Sequence, residues 1–208
     1  MAELDTLFKI DLQQRLQQPG EIAIELGCGQ SKSEGRIGID RVDLPAVDIV
    51  TDLERGLPFF PDESVDAVHA YHFLEHVENL QLLLQEIYRV CRPGARIVLR
   101  VPHFSNPYYY SDYTHRRFFG LYSFEYFARE QKRFKRKIPN FYSDFHFITQ
   151  KLELVFYSQW PGRKFPRKAA QFIFNLNSWW QEFYEENFCY ILPCSEIVVI
   201  LRPDKSHV

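Results

Sequence analysis

Apolar residues in the first hundred positions come in short runs separated by acidic, glycine, proline or polar residues. Residues 21–26, Glu-Ile-Ala-Ile-Glu-Leu, run into Gly27-Cys28-Gly29, the pattern of a strand that ends in a glycine turn. Similar runs at 36–40, 46–52, 65–71 and 95–101 predict four more strands. Between the last two, Leu80, Leu83, Leu84, Ile87 and Cys91 recur at helical spacing. Asn79 is placed to cap this helix, and Arg92-Pro93-Gly94 to stop it. Strands alternating with helices predict a doubly wound α/β fold, with a mainly parallel sheet covered on its faces.

Beyond Val101 the pattern changes. Residues 102–113 read as loop, Ser123 to about Lys137 as a helix, and 146–157 and 196–201 as two further strands. Residues 158–193 read as a proline-flanked helical insertion. In it a helix over 169–188 gathers Phe172, Leu176, Trp179, Trp180 and Phe183 on one broad face, and core burial is the ordinary cause of such a face.

Composition sharpens this division. The 208 residues are 46% hydrophobic and 25% charged, with a formal net charge of −2, which excludes disordered and collagen-like classes. Residues 1–100 carry 10 Lys+Arg against 17 Asp+Glu, and the remainder 15 against 10. Only 6 of the 34 aromatic residues lie in the first hundred, so the second half reads as a specialised surface or pocket. Neither a spanning apolar run nor a secretory pattern in Met1–Ile10 is seen, and the expected location is cytoplasmic. Cys28, Cys91, Cys189 and Cys194 contain no CxxC pair, in keeping with free thiols in a reducing compartment.

Four features in sequence order carry the candidate chemistry. Glu25 with Gly27-Cys28-Gly29 offers a carboxylate for an ammonium group and a backbone that comes close to a ligand. Asp40, at the end of the second strand, suits the two hydroxyls of a ribose. Asp52-Leu53 follows the third strand, and the fourth runs into His72-Phe73-Leu74-Glu75-His76. With Gly38-Ile39-Asp40, Leu57-Pro58-Phe59, residues 62–68, Phe73–Val77 and Arg92-Pro93-Gly94, this order resembles the class I S-adenosylmethionine-dependent methyltransferases, particularly the group acting on small molecules.

The resemblance spans about residues 20–102 and implies S-adenosylmethionine as cofactor and S-adenosylhomocysteine as product. It implies that Glu25, Gly27, Cys28 and Gly29 hold the methionine end, Asp40 the ribose, and Asp52 with Leu53 the adenine. Tyr71 and His72 then line the methyl-transfer site. The chain is accordingly read as one domain, 1–208, with a cofactor-binding half at 20–102 and a substrate-side half at 103–208. One departure stands out: only residues 30–35 separate the glycine turn from the second strand, too few for the usual crossover helix. Lys32 also occupies the place of a third glycine, which counts against a dinucleotide dehydrogenase.

Two rival patterns carry less weight. His72-Phe73-Leu74-Glu75-His76 fits an HxxEH zinc motif but lacks that motif's context, so no metal is expected. The basic residues at 129–137 and 163–168 read first as a solvated face, and no nucleic-acid partner is expected.

On the substrate side, loops after the strands line the crevice of such folds. His103, Asp112 and His115 are the candidate catalytic groups, with Asp112 and His115 as the acid–base or orienting pair and a structural anchor as the competing role. Tyr108, Tyr109 and Tyr110 offer ring faces, and Arg116 and Arg117 a site for an acceptor anion. The expected function is methyl transfer to a small-molecule substrate. The alternatives are a lipid-linked or polysaccharide acceptor at a membrane surface, with peripheral membrane contact, and a noncatalytic adenosylmethionine-binding protein. The sequence sets no oligomeric state.

Overall fold

The structure is a computed structural model that describes residues 6–206. In chain order the elements are β1 (Leu7–Phe8), α1 (Leu12–Gln17), β2 (Ala23–Leu26), β3 (Ile37–Asp40), β4 (Ile49–Val50), β5 (Val65–Tyr71), α2 (Leu80–Val90), β6 (Cys91–Pro102), β7 (Phe147–Val155), α3 (Lys164–Phe174), α4 (Ser178–Asn187) and β8 (Glu196–Pro203). One sheet holds all eight strands in the order β1-β4-β3-β2-β5-β6-β8-β7. Neighbours from β4 to β6 run parallel, β8 lies antiparallel between β6 and β7, and β1 is antiparallel to β4. The expected α/β class is therefore found, and the order changes direction between β2 and β5, where such sheets open a crevice.

The two sheet faces differ. Ile24, Leu26, Ile37, Ile39, Val68, Ala70, Ile97 and Leu99 are buried in one cluster with Leu83, Leu84 and Ile87 of α2. Burying each such side chain contributes roughly 1.5–3 kcal/mol. Asn79 caps α2 as expected, its Oδ1 accepting from the Leu82 N–H. The opposite face is polar where β2, β5 and β6 meet: Glu25 stands beside His69, and Tyr71 beside Arg100. His69 and Tyr71 are half-buried, and Arg96 and Arg100 exposed. The expected cover on both faces is thus thin here, because the first crossover is a bent segment with no helix.

Several boundaries move. The strand expected over 46–52 contracts to Ile49–Val50. The Arg92-Pro93-Gly94 stop does end α2, but the strand resumes at once: Gly94 takes φ +88° and the β5–β6 register shifts between the Val65–Cys91 and Ala67–Arg96 pairs. The helix expected over 123–137 is only a 3₁₀ turn at Glu125–Phe127. Side chains replace the helical ladder there, Glu182 accepting from the Lys135 and Arg136 N–H groups and Gln131 from that of Ile138.

The helix expected over 169–188 is broken into α3 and α4. Asn175 bonds both the N–H and the carbonyl of Leu154, and Asn177 caps α4 by accepting from the Trp180 N–H. The break turns the aromatic face outward. Phe172, Leu176 and Trp179 are 70%, 52% and 57% exposed, so the expectation of a core-facing stripe fails, while Ala170, Gln181 and Tyr184 are buried.

Asn177→Ala tests the break directly. Loss of the cap is expected to destabilise the protein by about 1 kcal/mol, read as a lower urea midpoint with an unchanged m-value; no change in midpoint would contradict the assigned cap.

Candidate functional site

The glycine turn after β2 is shaped by backbone demands that explain its residues. Gly27 and Gly29 have φ of +64° and +55°, the left-handed region that side chains resist. A Cβ on Gly27 would also collide with the Phe73 ring, whereas one on Gly29 would meet open space. The Gly27 N–H bonds the Ile39 carbonyl at 2.8 Å, and the Asp40 carboxylate accepts from the Gly29 N–H at 2.9 Å and from the Val42 N–H at 3.0 Å.

Glu25, buried at 4% exposure, has a different partner from the one expected. Its Oε2 accepts from Arg36 Nη1 at 2.8 Å and from the Ser33 N–H at 3.2 Å, so it braces the short crossover. Lys32 pairs with Asp48 at 2.5 Å, and Asp48 also accepts from the Gly38 N–H at 2.7 Å. These contacts do the mechanical work that a packed helix would do. Arg36 further reaches the Tyr71 hydroxyl at 3.3 Å, and that hydroxyl lies 2.9 Å from His69 Nδ1. Burial, then Arg36, pushes the His69 imidazole down to about 4, so it is neutral and accepts from Tyr71. Burial, with the Asp40 and Glu25 carboxylates, pushes the Cys28 thiol up to about 11, which leaves it an inert thiol.

A cavity of about 430 Å³ opens beside this turn. From the cofactor candidates it brings together Gly27, Asp40, Asp52, Leu53 and His72; from the substrate candidates it takes Arg116. Glu25, Cys28, Gly29 and Tyr71 are not in its walls. Asp52 Oδ1 caps the 3₁₀ turn Leu53–Arg55 by accepting from the Glu54 N–H. Phe73, His76, Tyr113 and Thr114, which were not singled out as binding residues, complete the wall nearest the substrate side.

His72 sits at φ +52°, a strained backbone for a residue other than glycine, with its N–H bonded to the Arg100 carbonyl. The Glu196 carboxylate 3.2 Å away, and after it that of Glu75, hold the His72 imidazole up to about 9. Glu196 comes from β8, so the far end of the chain finishes this rim.

The other substrate-side candidates divide by their contacts. His103 is fully buried. Its Nδ1 accepts from the Ser105 N–H, leaving Nε2 to donate to Glu185 at 3.3 Å. Packed at a tilt against Phe104 and outside the cavity walls, it anchors the end of β6 to α4. Tyr109 is buried with its hydroxyl on the Arg117 carbonyl. Tyr108 and Tyr110 are exposed outside the cavity, Tyr110 donating to the Phe104 carbonyl. Arg117 spends its guanidinium on the carbonyls of Val77 and Glu78, and so is a strap and not an anion site. Arg116 pairs with Glu78.

Asp112 and His115 are brought together at 3.6 Å. The Thr114 hydroxyl and N–H hold the Asp112 carboxylate below its ordinary range. The Arg116 and Arg117 N–H groups both donate to the Glu75 carbonyl, at 2.7 and 3.1 Å, clamping this loop onto the 3₁₀ turn Leu74–His76.

Known proteins share parts of this arrangement. Residues 28–99 match the family model described as "Methyltransferase domain". An uncharacterized 37.1 kDa protein in transposon TN4556 of Streptomyces fradiae is 32% identical over 108 residues, or 41% of this chain, and the chain spans 31% of that protein. In fold, the chain is similar to the YcgJ protein of Bacillus subtilis (TM-score 0.52, 15% identity, covering 92% of this chain and 95% of that one). It is also similar to a chain in the complex between the Haloferax volcanii Trm112 methyltransferase activator and a methyltransferase (TM-score 0.50, 13% identity, 94% and 89%). Strand order, glycine turn and the segment matched over residues 28–99 agree with the fold of a methyltransferase domain.

Proposed function

We propose that this protein transfers the methyl group of S-adenosylmethionine to a small-molecule acceptor, in the cavity between Gly27, Asp40 and His72. The observation that carries the reading is the convergence of the Gly27 backbone, two carboxylates and an aromatic wall on one concave space large enough for a small ligand. Glycine at 27 lets the Phe73 ring pack directly against the turn, so that both stand in the cavity wall. Bound there, S-adenosylmethionine supplies an electrophilic methyl group on a cationic sulfur.

The chain's own groups then have distinct tasks. Asp40 takes ribose hydroxyls while its bonds to Gly29 and Val42 keep the carboxylate in place. Asp52 and the Leu53 backbone take the adenine side. The methionine end rests on the Gly27–Gly29 turn, with Glu25 acting through it as a brace. Phe73 presents apolar surface that excludes water, and Phe73 and the exposed Tyr113 offer ring faces that tolerate a cation. Arg116 and His115 stand on the acceptor side, where alignment of the attacking atom supplies most of the rate.

A second reading, an acceptor held at a membrane surface, is favoured by one observation. Trp160, Phe165, Phe172, Trp179, Tyr190 and Ile191 are all more than half exposed, in an insertion that also carries Arg163, Lys164, Arg167 and Lys168. Apolar and aromatic surface interleaved with basic residues is the composition of an interfacial helix. Among the described residues no helix is long and apolar enough to cross a membrane.

Three outcomes are expected. In calorimetry with adenosylhomocysteine, Asp40→Asn keeps the fold and weakens binding about tenfold or more, since a hydrogen bond to a charged group contributes about 1.5–3 kcal/mol; wild-type affinity in that variant would remove the ribose assignment. Gly27→Ala and Gly29→Ala each incur the left-handed penalty of about 1–2 kcal/mol, but only Gly27→Ala also meets Phe73, so its urea midpoint falls further; equal midpoints would contradict the close approach. In flotation at low salt, the protein rises with vesicles containing anionic lipid and Trp179→Glu does not; a wild type that stays at the bottom disposes of the membrane reading.

A further inference from the structure

The Glu75 side chain is only 1% exposed, yet neither of its carboxylate oxygens has a hydrogen-bond partner. Its one cationic neighbour, the His72 ring, faces Oε1 at 3.4 Å as an ion pair without a hydrogen bond. A buried carboxylate with so little satisfaction has acceptor capacity to spare, and buried charges are ordinarily paired or coordinate a metal. Directly beside it lie His76 and His115, whose rings meet edge to face at 4.8 Å. One ligand atom from each of Glu75, His76 and His115 lies within 4.8 Å of the others.

The hydrogen bonds around the two imidazoles set their protons. The Thr114 hydroxyl donates to the Asp112 carboxylate at 2.6 Å, so its oxygen is left to accept from His76 Nδ1–H at 2.9 Å. His115 Nδ1 faces the Tyr109 carbonyl at 2.9 Å, which accepts only, so here too Nδ1 carries the proton. With each Nδ1–H so engaged, Nε2 is the remaining ligand atom of each ring, and that of His115 stands 3.6 Å from the Asp112 carboxylate. An Nδ1–H tied to a carbonyl or a carboxylate-backed partner is the outer shell that orients metal-binding histidines. The Arg116 and Arg117 N–H bonds to the Glu75 carbonyl hold the two contributing segments together.

We propose that Glu75, His76 and His115 hold one divalent transition-metal ion of the zinc class at the acceptor edge of the cavity. One carboxylate and two imidazoles match the ligand preference of zinc, and three protein ligands leave a coordination position open. Tetrahedral bonds near 2 Å put ligand atoms about 3.3 Å apart, so the three atoms must close by up to about 1.5 Å, a movement within side-chain rotation. His76 and Thr114 lie in the cavity wall, so the open position is on the ligand side. There it suits an acceptor oxygen, whose proton the cation makes more acidic. That role rests on the methyl-transfer reading; the binding of the metal does not. His115 is 39 residues beyond His76, and only the fold brings the two together.

The test uses the full chain, stripped with EDTA and dialysed, titrated with Zn²⁺ against a chromophoric chelator and separately with Co²⁺ followed by visible absorption. One equivalent of Zn²⁺ and a low-coordinate Co²⁺ spectrum are expected. His115→Ala and Glu75→Gln should lower the Zn²⁺ affinity at least tenfold, and Thr114→Val, which removes only the support of His76, about tenfold. Adenosylhomocysteine is titrated into the same samples. If that ligand binds while the folded wild type takes up neither metal, or if the Thr114→Val and His115→Ala affinities equal the wild type's, this proposal is overturned and the cofactor reading stands; loss of adenosylhomocysteine binding in the wild type overturns the other reading alone.

Discussion

The geometry of the ligand-binding end depends on a buried carboxylate that serves the chain itself. Glu25 closes on Arg36 and on the Ser33 N–H, and so pins a crossover of too few residues to contain a helix. A parallel crossover normally buries an amphipathic helix on the sheet, and its packing fixes the turn that precedes it. In its place the Glu25–Arg36 and Lys32–Asp48 pairs supply the fixed points, and Asp40 ties down the Gly29 N–H from the next strand. Removing one member of such a pair leaves the other charge uncompensated, so the turn that faces the cavity depends on both.

That substitution accounts for the polar sheet face. With no crossover helix above β2 and β5, apolar residues at His69, Tyr71 and Arg100 would be left partly facing water. The chain instead uses groups that pair with one another and tolerate partial hydration. The opposite face keeps an ordinary apolar core under α2. Function is divided along the same line. The N-terminal strands present Asp40, Asp52 and the glycine turn, while the long segment after β6 folds back so that Tyr113, Thr114 and Arg116 close the cavity from the other side.

The parts legible in the sequence were those with local causes. The β5 run, the α2 stripe with its Asn79 cap, and the glycine turn each depend on neighbours within a few residues, and all three stand where the pattern put them. The missing first helix was legible too, from the count of residues between two strands. What failed had causes distant in the chain. The segment 123–137 has helical spacing, but Glu182 captures its N–H groups from 46 or more positions away. The 169–188 stripe is broken because Asn175 is more useful on Leu154 of the neighbouring strand than inside a helix. Likewise Glu25 had the residue type for an ammonium ligand, and only the fold reveals that Arg36 reaches it first. The pairing of Glu75 and His76 with His115 is of the same kind.

The proposed function places the methyl donor in the cavity beside Gly27. A crystal structure with adenosylhomocysteine tests it most directly. The ribose is predicted against Asp40, the adenine beside Asp52 and Leu53, and the sulfur between the Gly27 turn and the wall formed by His72 and Phe73. Adenosylhomocysteine bound away from this cavity, or with its ribose turned from Asp40, would rule this placement out.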